Sequence, residues 1–152
     1  MRSLARLTLA LLSAATALTT RAEAQAAADT AAIRATAMDY IEGWYAGDAA
    51  RMERAVHPEL AKRIVMSDPK TGRFQLESIS AMTLVNRTRA GGGTRTPDAR
   101  KQKDFTLLDV YQNAAVAKVI ASDWVDYLQL AKWNGKWVIV NVLWELKPPP
   151  AP

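Results

Sequence analysis

The apolar positions along the chain fall into three stretches of different character. In the first, Leu7 to Leu18 is one short apolar run behind Arg2 and Arg6. In the second, Ile33, Ala37, Tyr40, Ile41 and Trp44 recur at helical spacing, which predicts an amphipathic helix capped at Asp29 or Thr30. Gly47 is placed to end that helix, and Asp48 to cap a short second one with Met52 and Val56 on its inner side. His57-Pro58 should stop the second helix, because a residue before proline is pushed away from helical angles. Leu60 to Met66 then predicts a strand, Asp68 to Gly72 a turn, and Arg73 to Leu76 the return. Ser78 is the expected cap of a third helix carrying Ile79, Met82 and Val85 on one face. Residues 88–103, with Gly91-Gly92-Gly93, Pro97 and many charges, read as a loop.

The third stretch predicts an antiparallel meander. Its strands are Asp104 to Gln112, Ala115 to Trp124, Val125 to Trp133 and Lys136 to Leu146. Asn113-Ala114 and Asn134-Gly135 supply turns, the latter being a strong hairpin signal. Helices followed by long strands predict an α+β fold with the helices on one face of a curved sheet. In the last strand, strict alternation groups Trp137, Ile139, Asn141, Leu143 and Glu145 against Val138, Val140, Val142, Trp144 and Leu146. Neither group is polar, so both faces should be covered. Helices can cover one; a second copy of the chain, in a two-fold dimer, is the simplest cover for the other, with a terminal tail as the alternative.

Composition bears mainly on export and on chemistry that is disfavoured. The leader has a basic start, an apolar centre and small residues around Ala22 to Ala26, the pattern of a signal peptide cleaved after Ala26. An uncleaved anchor would need roughly 20 apolar residues, more than this run offers. The expected layout is a signal peptide at 1–26, one domain at 27–147 and a Pro-rich tail at 148–152, with the mature protein secreted or periplasmic. Cleavage removes Arg2, Arg6, Arg21 and Glu23 and lowers the formal charge from +5 to +3. So mild a charge calls for neither nucleic acid nor a membrane surface as partner. The absence of cysteine excludes disulfides, and a single histidine argues against a dedicated zinc site. No cofactor is expected.

The run Tyr40-Ile41-Glu42-Gly43-Trp44-Tyr45-Ala46-Gly47-Asp48, then His57-Pro58, then Gly135-Lys136-Trp137-Val138-Ile139, resembles the nuclear transport factor 2-like (SnoaL-like) superfamily over about residues 29–147. Within it the chain is most similar to the bacterial group called putative lumazine-binding proteins. The resemblance implies a cone-shaped half-barrel of three helices on a strongly curved, mostly antiparallel sheet, often dimeric through the outer sheet face. It also implies a pocket at the wide end. It does not imply one activity, since the superfamily holds isomerases, dehydratases, hydrolases and transport adaptors.

Several residues are candidates for that pocket. His57 has a near-neutral pKa type suited to proton transfer, or its ring simply bonds nearby backbone. Asn141, polar among apolar neighbours, needs partners, which a ligand or a neighbouring strand could supply. Tyr40 and Trp44 lie one turn apart and line either the pocket or plain core. Trp137 would help hold a small apolar or aromatic ligand, and Arg63 would hold an anionic one if its strand turns it inward. Asp109, Asp123 and Asp126 lie on strands, but none aligns with the superfamily's acid–base pattern. Asp126 and Tyr127 point to opposite faces and cannot act as an adjacent pair. Gly91-Gly92-Gly93 lacks the lysine of a phosphate loop. Lys62-Arg63 and Arg100 to Lys103 could bind anions, although such runs are usually solvated faces or loops, and Asn86-Arg87-Thr88 fits a glycosylation sequon. The leading expectation is an exported, dimeric protein binding a small apolar or aromatic molecule. The alternatives are an isomerase- or dehydratase-like enzyme using His57 or an aspartate, and a noncatalytic dimeric interaction module.

Overall fold

The computed structural model of the chain describes residues 2–148, with side chains from residue 23 onward. The tail at 149–152 and the side chains of the leader up to residue 22 lie outside the described residues. Two compact units are present, Met1–Ala31 and Ala32–Pro152. The first is helical, the opening part of α1 (Arg2–Ala46). Among the described residues no helix is long and apolar enough to cross a membrane.

Asp29 and Thr30 do not cap a helix start, as their types suggested. Both lie inside α1, where the Thr30 hydroxyl donates to the Ala26 carbonyl one turn back. The alanines on either side, Ala26 to Ala28 before and Ala31-Ala32 after, are the best helix formers available and carry the helix through this point.

The second unit holds the rest of α1, α2 (Ala49–Ala55), α3 (Ala81–Arg89) and six strands. These are β1 (Val56–Ser67), β2 (Phe74–Ser80), β3 (Lys103–Tyr111), β4 (Ala114–Ala121), β5 (Trp124–Trp133) and β6 (Lys136–Leu146). They form one sheet in the order β2-β1-β6-β5-β4-β3, parallel only between β1 and β6. The α+β reading therefore holds, with helices against one face of a mixed sheet. Ile33, Ala37, Tyr40, Ile41 and Tyr45 form the buried stripe of α1 and meet Ala117, Val119, Leu128 and Ile139 of the sheet. Burying a side chain such as Ile33, Ile41, Leu128 or Ile139 stabilises the fold by about 1.5–3 kcal/mol.

The local punctuation follows residue chemistry. Gly47, at φ +67°, ends α1, and the Asp48 carboxylate accepts from the Arg51 amide at 3.0 Å to start α2. Arg51 also pairs with Asp39 at 2.8 Å and Glu42 at 2.6 Å, tying α2 to α1. Asn134 and Gly135 both take positive φ and close the β5–β6 hairpin.

Three boundaries differ from expectation. Val56 does not face inward from α2; it leaves the helix at extended angles and opens β1. His57-Pro58 therefore sits in a strand, at the point where the β1–β6 register is irregular and a missing proline N–H is tolerated. The cap of α3 is Ser80 rather than Ser78, because Ser78 is held in the ladder opposite Arg63. Ile79 thus belongs to β2, Met82 is exposed, and Leu84 joins Val85 on the buried side of α3.

The largest difference lies in β6. Gln129 pairs with Asn141, but its neighbour Leu130 pairs with Ile139, so Val140 is an extra residue in the strand. Such a bulge reverses the alternation beyond it. Trp137 and Ile139 face the helices as one group, and so do Val142 and Trp144. The two faces read by strict alternation are thus mixtures of inner and outer residues. Asn141 and Leu143 turn outward instead.

Candidate functional site

A cavity of about 240 Å³ opens within the second unit. Tyr40 and Trp44 of α1, Met52 of α2, Leu84 of α3 and the two strand-end tryptophans, Trp124 and Trp144, supply most of its wall. Trp44 and Trp124 meet edge to face with centroids 6.3 Å apart. The exposed Arg87 and Leu146 stand at the rim. For scale, a dry cavity of roughly 150 Å³ accepts benzene, so a substituted ring or a two-ring molecule is the matching size.

The chemistry sits where Lys62 enters the wall. Leu60, Lys62 and Ile64 alternate inward along β1, which places the lysine stem among core residues. Asp126 does the same on β5, between inward Trp124 and Leu128, and is fully buried. The Lys62 ammonium donates to Asp126 Oδ1 and, at 2.6 Å, to the Tyr40 hydroxyl oxygen. The Tyr40 hydroxyl donates to Asp126 Oδ2 at 3.1 Å, and the Trp124 indole N–H donates to the same oxygen at 2.6 Å. Asp126 therefore accepts three hydrogen bonds, one on Oδ1 and two on Oδ2. An ammonium has three N–H donors, and these bonds use two of Lys62's. Its nitrogen also lies 4.8 Å from the centre of the Trp144 ring, within cation–π range.

Burial raises the Tyr40 pKa well above the ordinary phenol value, and the charge and hydrogen bond of Asp126 raise it further. Burial also lowers the Lys62 pKa, against the opposing pull of Asp126. Among the described residues no buried polar side-chain atom lacks a hydrogen-bond partner, and no cluster of His, Asp or Glu has the makings of a metal site.

Of the residues singled out from sequence, Tyr40 and Trp44 line this cavity. Trp137 is buried instead in the core, with its backbone carbonyl accepting from Thr36 at 2.9 Å. His57 lies outside the cavity wall; its Nδ1 accepts from the Glu59 amide and its ring meets Trp133 edge to face at 5.1 Å. Arg63 and Asn141 come together, but on the outer face. The Arg63 guanidinium donates to Asn141 Oδ1 at 2.8 Å, and the Asn141 amide donates to Gln129 Oε1 at 2.9 Å. Neighbouring strands thus supply the partners that Asn141 needs. Asp126 and Tyr127 do point to opposite faces, and the tyrosine that meets Asp126 is Tyr40.

Lys62 was hidden by reading Lys62-Arg63 as one solvated charge run. The signal that finds it is the period of two through Leu60, Lys62 and Ile64, which sets one charge inward and the next outward.

The sequence model of the family described as putative lumazine-binding matches residues 28–145. The chain belongs to that family. Solved structures similar to it include nuclear transport factor 2-like proteins of unknown function from Silicibacter pomeroyi and Methylobacillus flagellatus. The first is 17% identical with TM-score 0.63, over 80% of this chain and 98% of that one. The second is 22% identical with TM-score 0.63, over 79% and 93%. A nuclear transport factor 2-like protein with a cystatin-like fold from Novosphingobium aromaticivorans is 15% identical with TM-score 0.60, over 87% and 90%. At these identities the likeness is one of fold. No curated protein matches the chain.

Proposed function

We propose that this member of the putative lumazine-binding family is an exported small-molecule-binding protein whose ligand is flat, largely apolar and carries an oxygen acceptor. The observation that carries the reading is Lys62, an ammonium in the wall of an aromatic cavity with one N–H not engaged by Asp126 or Tyr40. Tryptophan faces hold a ring system, and the remaining donor orients it. Arg87 at the rim, in no ion pair among the described residues, favours ligands with an acidic substituent pointing outward.

The cavity tryptophans are their own probes. Titration with 2-naphthoate, 2-naphthol and lumazine should give saturable quenching of tryptophan emission for at least one compound. Trp144→Ala should weaken that binding about tenfold, equivalent to about 1.4 kcal/mol. No saturable change with any of the three compounds would sink the reading.

Export rests on the leader pattern, with Arg2 and Arg6 before the apolar run and small residues around the expected cleavage after Ala26. Expressed with its leader in a bacterium, the protein should appear outside the cytoplasm with Ala27 as its first residue. A cytoplasmic product that starts at Met1 would count against export.

A second copy of the chain on the outer sheet face completes the proposal. There Leu76, Val65, Leu143 and Tyr127 remain exposed on four successive strands, too much neighbouring apolar surface for a face meant only for water.

A further inference from the structure

We propose that Lys62 is an amine nucleophile that forms an imine with an aldehyde or ketone seated in the aromatic cavity. The inference rests on the binding reading above and gives its ligand class a reactive group. Imine formation needs an amine that can shed its proton, a base to take it, an acid for the carbonyl oxygen and a chamber poor in water. The three groups stand within one hydrogen-bonded cluster, and the aromatic cavity supplies the chamber. The Lys62 side chain is only 7% exposed, in a wall of Trp44, Trp124, Trp144, Met52 and Leu84. Asp126 touches its nitrogen and is the base. The Tyr40 hydroxyl, 2.6 Å from the same nitrogen, is the acid. Burial supports the first assignment, since it favours the neutral amine, and it keeps Tyr40 protonated before the reaction.

The step balances within these groups. A proton passes from the ammonium to Asp126, and the freed lone pair attacks the carbonyl carbon. The C–N bond forms, and the C=O π pair moves to oxygen, which takes the Tyr40 proton. The new N–H returns a proton to Tyr40. Asp126 then protonates the carbinolamine hydroxyl, which leaves as water while the nitrogen lone pair closes the C=N bond. The net change is an ammonium and a carbonyl giving a protonated imine and one water, with no oxidant or reductant. The imine keeps its positive charge against Asp126, so the buried pair stays neutral overall. This differs from ordinary surface amines such as Lys103, which is half exposed and paired with Glu42.

The test is reductive trapping of the full chain with 2-naphthaldehyde and cyanoborohydride at neutral pH, followed by peptide mapping. The expected result is a dominant single adduct on Lys62. Tyr40→Phe should slow its formation about 100-fold, the usual size of a general-acid contribution. Lys62→Arg should abolish that adduct. Mapping the unmutated protein keeps the test decisive should Lys62→Arg fail to fold. Saturable quenching by 2-naphthaldehyde without a Lys62 adduct would overturn the imine and leave the binding reading standing. Adducts spread evenly over surface lysines would do the same. Neither quenching nor adduct would overturn both.

Discussion

A lysine, an aspartate and a tyrosine sharing one buried corner make the site sensitive to alkali in a defined direction. Unfolded, Tyr40 loses its proton near pH 10. Folded, it holds the proton to higher pH, because burial and the adjacent Asp126 charge disfavour a phenolate. Above pH 10 the unfolded chain therefore binds fewer protons than the folded one, and stability falls as pH rises. Lys62 acts with the opposite sign. Its folded pKa is lowered, so its contribution rises with pH until the unfolded amine titrates near 10.4. The net fall above pH 10 should thus belong to Tyr40. We expect Tyr40→Phe to flatten the loss of stability between pH 10 and 11 in urea titrations. An unchanged alkaline slope would show that other groups carry it.

At the scale of elements, the Gly-rich turn after α3 sets the width of the cavity. Gly93 lies against the Trp44 indole so closely that an added Cβ would sit 2.7 Å from its Cδ1 and Nε1 and 2.9 Å from a Tyr45 ring carbon. The Gly93 amide also donates to the Trp44 carbonyl at 2.9 Å, which keeps the turn from backing away. Gly93→Ala should push Trp44 toward the cavity, cost about 1–3 kcal/mol through overpacking and weaken two-ring ligands more than one-ring ligands. Equal affinities for both ligand sizes in the variant would show that the turn does not set the width.

The elements also show what the sequence made legible. Propensity and turn chemistry located α1's inner stripe, the cap at Asp48, the Asn134-Gly135 hairpin and the α+β order, because each depends on a few adjacent residues. The ends that slipped depend on long-range pairing. Ser78 and Ser80 are equal as caps until β1 claims Ser78 for its ladder. Val140 looks like any strand valine until Leu130 skips past it to Ile139. Half of the site was legible, Tyr40 and Trp44, since the helical stripe names them directly. Lys62 and Asp126 were not, because their burial depends on each other and on Tyr40 and Trp124, groups brought together from elements distant in sequence.

For the whole molecule, the bulge decides which β6 side chains reach the outer face where a second copy would sit. Trp144 faces the cavity, so a charge there would disturb the ligand site and not an outer contact. Leu143, half exposed and paired with Tyr127 on one side and Arg63 on the other, is the outward residue to change. We expect Leu143→Arg to convert a dimer to a monomer in light scattering while leaving naphthoate quenching intact, since it sets a second cation beside Arg63. A variant with the wild-type mass in solution would exclude this face as the contact.

The extra valine in β6 also divides labour along one strand. Upstream of it, Trp137 and Ile139 serve the hydrophobic interior; downstream, Trp144 and Leu146 serve the cavity. The register shift between the two lets side chains at Trp144 and Leu146 change without shifting Trp137 and Ile139. Relatives with altered appetites should differ first after position 140 and keep the earlier half fixed.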